Sequence, residues 1–159
     1  MHQLLLAQYE LIKSARHALF TYCRSMNQGD LVKKINTFND KSIIDMLVHN
    51  VNTYISWIKN FGLDATSSFH EGEDIKGLDD IEQLFTEVDL FVTDFLNKYS
   101  SDYLQSFTKT IAHKGITFTT TPLQLFTHVT THEFHHKGQI LTMSRISGYT
   151  PADTDVIRS

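Results

Sequence analysis

The scarcity of proline is the sequence feature that most constrains this fold. The 159-residue chain contains two prolines, Pro122 and Pro151, so residues 1–121 contain none. Proline breaks a helix interior because it lacks a backbone donor and clashes with the preceding turn. Long proline-free segments in which apolar residues recur three and four positions apart therefore favour helices.

Four such segments are predicted to be amphipathic helices. The predicted spans are residues 3–26, residue 40 or 42 to the residue before Gly62, residues 78–99, and residue 120 or 121 to Gly148. The last span has Pro122 at its first helical position, where proline is tolerated. Four helices of this kind favour an all-α fold, a helix bundle that forms a single domain over residues 1–159.

The segments between these helices are predicted to be loops, with one exception. Residues 64–77 are polar and are interpreted as a loop, whereas residues 101–120 are ambiguous. Within the ambiguous stretch, the β-branched residues 116–120 follow Gly115, which favours a short extended or hairpin segment before the last helix. The last eleven residues are predicted to form a polar tail.

Composition argues against several classes of protein. The net charge is −4 with histidine neutral, and the longest basic cluster is Lys33–Lys34, which is not typical of nucleic-acid binding. No apolar run approaches the ~20 residues that span a bilayer. Cys23 is the single cysteine, so no intramolecular disulfide can form, and a cytoplasmic, reducing location is expected. In its apolar helical context Cys23 is interpreted as a core residue.

The histidines carry most of the functional information. The chain has nine of them. Four lie in one short run of the last predicted helix, namely His128, His132, His135 and His136. Because an α-helix turns about 100° per residue, His132 and His136 are predicted to lie within the apolar stripe, one turn apart. Two imidazoles at this spacing can bind one ion, and a metal would satisfy polar groups that are costly to bury.

Other interpretations of this run stay open. His132 and His136 are alternatively core histidines that are hydrogen-bonded to side chains or to water. His128 and His135 are predicted at the edge of the stripe, with a solvated or a ligand-supporting role. Gln139, on the buried face, is a candidate donor that would orient a ligand ring.

Periodicity does not decide the third ligand. The remaining histidines are His2, His17, His49, His70 and His113. His49 lies in the middle of the second helix but about 60° outside its apolar arc, so periodicity places it at the flank. His17, in the first helix, is the competitor. His70 and His113 are interpreted as loop residues.

The run from His132 to His136 also matches the H-E-x-x-H pattern of zinc peptidases. Those enzymes take a third ligand downstream, whereas no Glu or His follows His136, and Gln139 stands where the extended pattern needs glycine. No strand array is predicted to hold an extended peptide, so the peptidase interpretation is disfavoured. Glu133 is interpreted as a solvated helix charge, with activation of a metal-bound water as the alternative.

Two segments resemble one known family. The run HVTTHEFHHKGQILTMSRISGYTPADTD is similar to the C-terminal helix and tail of the DinB family, through an H-x-x-H-H-[KR]-G-Q-I core, a following Arg and a Gly-x-x-Pro tail. The segment MLVHNVNTYISW resembles the family's second helix, in which a His is followed by a Trp about two turns later. Helix number and spacing agree over nearly the whole chain.

The resemblance implies a four-helix bundle with a long crossover connection and a three-histidine metal site. By position, the implied ligands are His49 from the second helix with His132 and His136 from the last. Relatives often carry an acidic residue shortly after the second-helix histidine, whereas Asn52 and Thr53 stand here. This departure argues against an acid/base role from that helix. The resemblance also implies a homodimer.

The donor set and the resemblance together lead to an expected function. Three neutral imidazoles suit zinc, nickel, iron or copper better than magnesium or calcium, and they leave a coordination position open. The resemblance implies a metal-dependent enzyme, with thiol-dependent S-transfer as the leading class and a low-molecular-weight thiol as partner of a small-molecule substrate. The alternatives are a non-enzymatic dimeric bundle with a structural metal or a small-molecule-binding role and, more weakly, a metal-dependent hydrolase. Nucleic-acid and membrane partners are not expected.

Overall fold

The chain is mostly helical and carries one small β-hairpin. The computed structural model describes residues 1–111 and 115–158. The helices are α1 (His2–Arg24), α2 (Gln28–Val32), α3 (Ile43–Tyr54), which continues as a π-helix (Ile55–Gly62), α4 (Leu78–Lys98) and α5 (Pro122–Ile146). The strands are β1 (Phe107–Ile111) and β2 (Ile116–Thr120). The four long helices occupy the four predicted spans, and the short helix α2 is an addition to them.

Capping side chains set the starts of the two helices that carry the candidate histidines. The Ser42 hydroxyl accepts from the Asp45 amide, while the Asp45 carboxylate accepts from the Ser42 amide, and α3 begins there. Thr121 and Gln124 make the same exchange at the start of α5, where Pro122 is the first helical residue. Because these reciprocal bonds satisfy otherwise unpaired amides, local sequence alone fixes both starts.

The β-hairpin corrects the expectation of a strictly all-α chain. Strands β1 and β2 pair antiparallel, with Phe107 opposite Thr120. Threonine hydroxyls bond across the pair at 2.8 Å on its exposed face. The extended segment predicted at residues 116–120 is confirmed, and its partner strand lies in the stretch that the sequence left ambiguous. His113, interpreted as a loop residue, lies outside the described residues.

Helix α5 packs beside both α3 and α1, in opposite senses. Its contacts with α3 and the π-helical continuation are His136–His49 and His128–Trp57, and its contacts with α1 are Phe126–Tyr9 and Ser144–Tyr22. In the first set, the residue numbers rise along α3 while they fall along α5. In the second set, they rise along both α1 and α5. Helix α3 is therefore antiparallel to α5, whereas α1 is parallel to it.

Helix α4 contacts both α1 and α3. Lys59 lies over the Phe91 ring, and the Tyr99 hydroxyl donates to the Gly62 carbonyl oxygen at 2.8 Å. These contacts show that α4 runs in the same direction as α3 and its π-helical continuation. Two parallel neighbours cannot be joined by a tight turn, and residues 63–77 form the long connection between them.

One hydrophobic core is shared by the four long helices. The C-terminal tail packs back onto α5, because the Lys137 ammonium donates to the Thr154 carbonyl oxygen at 2.7 Å. The predicted polar tail is therefore held against the helices at this point. Among the described helices, none combines the length and apolarity that a bilayer crossing requires.

The close approach of Gly62 to Phe95 gives a test of this packing. A Cβ atom placed on Gly62 would lie 2.7 Å from the ring of Phe95, which is fully buried. We expect Gly62→Ala to lower the free energy of unfolding by about 1–3 kcal/mol, as overpacking does in well-packed cores. Urea denaturation measures the change, and a variant as stable as the parent chain would contradict the described packing.

Gly138 offers a matched control in α5. A Cβ atom there would meet nothing within 4 Å. We expect Gly138→Ala to raise the free energy of unfolding by roughly 0.5–1 kcal/mol, because alanine loses less backbone entropy than glycine on entering a helix.

Candidate metal centre

Three histidines from α3 and α5 form one compact group. His49, His132 and His136 each offer a ring nitrogen, and these atoms lie within 4.8 Å of one another. The Nε2 atoms of His49 and His132 are 3.0 Å apart. The three ring centroids are separated by 4.4, 4.7 and 5.0 Å. The fold brings together the three histidines that the resemblance implies, and the group could hold a metal ion.

The antiparallel packing of α3 and α5 explains this convergence. His132 and His136 lie one turn apart on the same face of α5. Helix α3 runs along that face in the opposite direction, so one histidine on it meets both rings, and His49 is that residue. One turn further along α3, Thr53 contacts the same group through Oγ1, which is 3.1 Å from Nε2 of His132.

The group lies at the edge of the helix packing. His136 is buried, His132 is half-buried and His49 is exposed. The prediction of core-facing residues is therefore right for His136 and only partly right for His132, whereas His49 lies at the flank as periodicity indicates. A cleft of about 410 Å³ opens beside the group, and His49, His136 and Gln139 contribute to its wall. A small ligand can reach the histidines from solvent through this cleft.

Gln139 fixes the orientation of one imidazole. Its Oε1 atom lies 2.6 Å from Nδ1 of His136 and accepts the ring hydrogen. Nε2 of His136 is then left for another partner. Such bonds set the tautomer and the ring direction of a metal ligand. The sequence analysis predicted a supporting role for Gln139 as a donor, and the structure places its oxygen, the acceptor, against the ring.

The surroundings keep all three imidazoles neutral. Burial, and then repulsion from His136 and His49, lowers the pKa of His132 to about 4. Burial lowers the pKa of His136 below its usual value, and burial together with the nearby charge of Lys41 does the same to His49. Neutral rings present free lone pairs at physiological pH, and this is the protonation state that binds metal.

The donor set fits a divalent transition metal. Ligand atoms about 2.1 Å from a tetrahedral zinc ion are about 3.4 Å apart, and the Nε2 atoms of His49 and His132 already approach this spacing. The group contains neither a carboxylate nor a thiol. A nitrogen-only set of this kind suits zinc, nickel, iron or copper. Three ligands also leave a coordination position for a further molecule.

A comparison with known protein families identifies the family to which the chain belongs. The family model of the DinB family matches residues 1–159, which is the whole chain. The chain belongs to the DinB family. The resemblance noted in the last helix and in the second helix is therefore confirmed. A search of curated proteins finds no match.

Glu133 of this DinB protein is turned into the core and is not part of the histidine group. It is 6% exposed. Its carboxylate accepts from Nε of Arg16 at 2.7 Å and from the Tyr54 hydroxyl at 2.6 Å. Both sequence interpretations of Glu133, a solvated charge and a base beside the metal, are therefore wrong. One residue past His132, a side chain is rotated by about 100° around the helix, and this turns Glu133 towards α1.

Arg16 is the residue that sequence analysis missed. Its guanidinium is buried and also contacts Asp89 of α4 at 2.7 Å. Burial opposes the positive charge, but attraction to the Glu133 carboxylate outweighs it and raises the pKa of Arg16 well above its usual value. A signal was present in the sequence, because Arg16 lies within the apolar stripe of the first helix, between Ile12 and Leu19.

The other candidate residues of this DinB protein lie outside the group. His17, the competitor for the third ligand, is exposed on α1, and His128 and His135 are exposed on α5. His70 lies in the loop between α3 and α4, as predicted, and contributes to the wall of the cleft. Burial raises the pKa of Cys23 to about 12, so its thiol stays protonated and Cys23 is a core residue.

The buried pairing of Glu133 can be tested through stability. We expect Glu133→Ala to lower the free energy of unfolding by about 3–5 kcal/mol, because it removes the buried partner of the Arg16 charge, which then keeps only the partly exposed Asp89 among its described ion-pair partners, and leaves the buried Tyr54 hydroxyl without its acceptor. Glu10→Ala is the control, since Glu10 is exposed and forms a surface ion pair with Lys13. That change should cost no more than about 1 kcal/mol. If urea denaturation found equal losses in the two variants, the buried pairing would be refuted.

Proposed function

We propose that this protein is a metal-dependent enzyme whose ion is held by His49, His132 and His136. The observation that carries the proposal is the convergence of three neutral imidazoles in a group without a carboxylate. Such a set leaves the charge of a divalent ion uncompensated by its protein ligands. Zinc, nickel or iron is the proposed metal, because imidazole nitrogen suits each of them.

A bound divalent ion would supply Lewis-acid charge that stabilises the anionic form of a small thiol or of water. The residues of this chain supply the surroundings. Helices α3 and α5 hold the three rings, and Gln139 sets the tautomer of His136. The cleft of about 410 Å³ admits a ligand and lies within the size range of small-molecule sites.

The proposed reaction class is thiol-dependent S-transfer between a low-molecular-weight thiol and a small-molecule substrate. The family resemblance supports this choice, and the engagement of Glu133 with Arg16 removes the glutamate that the H-E-x-x-H pattern offers as a base. A thiol has a pKa of about 8.5 and loses its proton beside a cation without help from a strong base. A divalent ion can also lower the pKa of a bound water to about 7, so metal-dependent hydrolysis is the alternative, and it is the weaker one because the resemblance points to thiol-dependent members of the family.

A structural ion in a non-enzymatic binding protein is the main rival. Structural zinc sites normally have four protein ligands and no open position. The group here has three, and it lies beside a cleft at the edge of the helix packing. Both features favour a functional ion over a structural one.

The wider organisation of the molecule is also part of the proposal. The directions of the long helices and their shared core support one domain, a four-helix bundle in which residues 63–77 are the long crossover. A homodimer is proposed from the family resemblance alone. A cytoplasmic location is proposed because the single cysteine leaves no intramolecular disulfide possible, which fits a reducing compartment.

Metal content tests the proposed ion directly. Protein expressed in metal-replete medium is expected to contain about one equivalent of a divalent transition metal by elemental analysis, and His132→Ala less than about a tenth of an equivalent. His17→Ala is the matched control, because His17 is an exposed histidine outside the group, and it should keep the content of the parent chain. A parent chain without bound metal would refute the proposal.

The same variant separates the enzyme from the structural rival. Metal loss with cooperative thermal unfolding preserved in His132→Ala is the result expected for a functional site, whereas collapse of the fold would indicate a structural one. Turnover screens with and without small thiols then distinguish S-transfer from hydrolysis.

A further inference from the structure

The cleft beside the histidine group has three ionised side chains in its wall, Lys41, Asp45 and Glu71. His49 and His136 line the same cleft, so a molecule that binds the proposed ion from this side also meets these charges. The charges that the protein leaves uncompensated decide what such a molecule has to carry.

Asp45 is compensated within the protein. Its Oδ2 atom accepts from the Lys34 ammonium group at 2.5 Å and from the Ser42 amide at 2.7 Å. Burial opposes the charge of Asp45, but the hydrogen bonds from Lys34 and Ser42 outweigh burial and lower the pKa of this carboxyl below its usual value. Asp45 therefore needs no counter-charge from a ligand.

Lys41 and Glu71 are not compensated. Both side chains are exposed. Within residues 1–111 and 115–158, neither side chain takes part in an ion pair or a hydrogen bond, with the other or with a third residue. The cleft wall therefore offers one positive and one negative charge to a ligand.

Main-chain contacts bring these two charges to the same end of the cleft. Ser42, the residue after Lys41, donates its amide hydrogen to the Asp45 carboxylate. Gly72, the residue after Glu71, lies so close to the same carboxylate that a Cβ atom on it would collide with Oδ1. Lys41 and Glu71 are thus each one residue away from a contact with Asp45.

The main chain is held in place at both positions. The Lys41 amide donates to the Phe38 carbonyl oxygen at 3.1 Å. The Asn52 side chain holds His70, the residue before Glu71, by accepting from its amide at 2.9 Å and donating to its carbonyl oxygen at 2.8 Å. The two charged side chains are therefore attached to fixed points of the cleft wall.

We infer that the cleft takes a zwitterionic small molecule, with its carboxylate at Lys41 and its ammonium group at Glu71. A molecule with a single charge would be attracted by one of these side chains and repelled by the other, whereas a zwitterion complements both. The charge of Lys41 also reaches His49, one of the proposed ligands. The inference rests on the proposed function and refines it, because it gives the low-molecular-weight thiol the charged groups of an amino acid.

Four small thiols allow the two charges to be tested separately. Free cysteine carries both charges, N-acetylcysteine only the carboxylate, cysteamine only the ammonium group, and 2-mercaptoethanol neither. Thiolate-to-cobalt absorption of the cobalt-loaded protein gives the affinity of each thiol, at thiol concentrations that leave the cobalt content unchanged. Affinities are expressed relative to 2-mercaptoethanol on the same variant, so that a general change in thiolate binding cancels.

Each variant is expected to affect only the thiols that carry the complementary charge. In Lys41→Gln we expect the relative affinities of free cysteine and N-acetylcysteine to fall about fivefold, the effect of losing roughly 1 kcal/mol, while cysteamine shows no loss. In Glu71→Gln we expect the same loss for free cysteine and cysteamine, and none for N-acetylcysteine. An amine that coordinates the ion instead of meeting Glu71 would bind as well to Glu71→Gln as to the parent chain, and this result would overturn the inference.

Lys33→Gln and Glu73→Gln are the matched controls. Both residues are exposed, and neither contributes to the wall of the cleft, so these variants should keep the relative affinities of the parent chain. If Lys41→Gln and Glu71→Gln behaved like the controls, the zwitterion inference would be overturned while metal and thiol binding stand. A parent chain that binds no cobalt, or binds cobalt but no thiol, would overturn the proposed function and this inference with it.

Discussion

Tyr54 donates a hydrogen bond to Glu133 at 2.6 Å, and Arg16 forms an ion pair with the same carboxylate at 2.7 Å. This buried junction joins α3, α1 and α5 at one point. Thr53 and His132, the neighbours of Tyr54 and Glu133 in sequence, are in contact with each other as well. The register that satisfies the carboxylate is therefore the register that brings the histidines together. A slip of one helical turn, about 5.4 Å, would separate them.

The same junction determines the chemistry available at the surface. An H-E-x-x-H run normally suggests two ligands and a base on one helix face. Here the glutamate is rotated into the core and neutralises Arg16, and the carboxylates that line the cleft with His49 and His136 are Asp45 and Glu71. Glu133 is therefore not placed to act as the base that this pattern supplies in zinc peptidases.

The parts of the molecule that local sequence controls could be predicted, and the parts that depend on distant partners could not. Helical periodicity and the capping residues located the long helices and paired His132 with His136 one turn apart. The angle of His49 around its helix, relative to the apolar arc, already predicted its position at the edge. The choice of His49 over His17 as the third ligand needed the family resemblance, because periodicity carries no information on which helices meet. The ion pair between Arg16 and Glu133 joins residues far apart in sequence, so neither side chain alone indicated its partner.

The central claim is that imidazoles from two helices share a single ion, and X-ray absorption spectroscopy of the zinc-loaded protein tests it most directly. The account predicts a shell of nitrogen or oxygen atoms at about 2.0–2.1 Å with the outer-shell scattering of three imidazoles. His49→Ala should either fail to retain the zinc or, at excess zinc, show the scattering of at most two imidazoles. A shell of oxygen atoms alone, or a spectrum that His49→Ala leaves unchanged, would contradict the account.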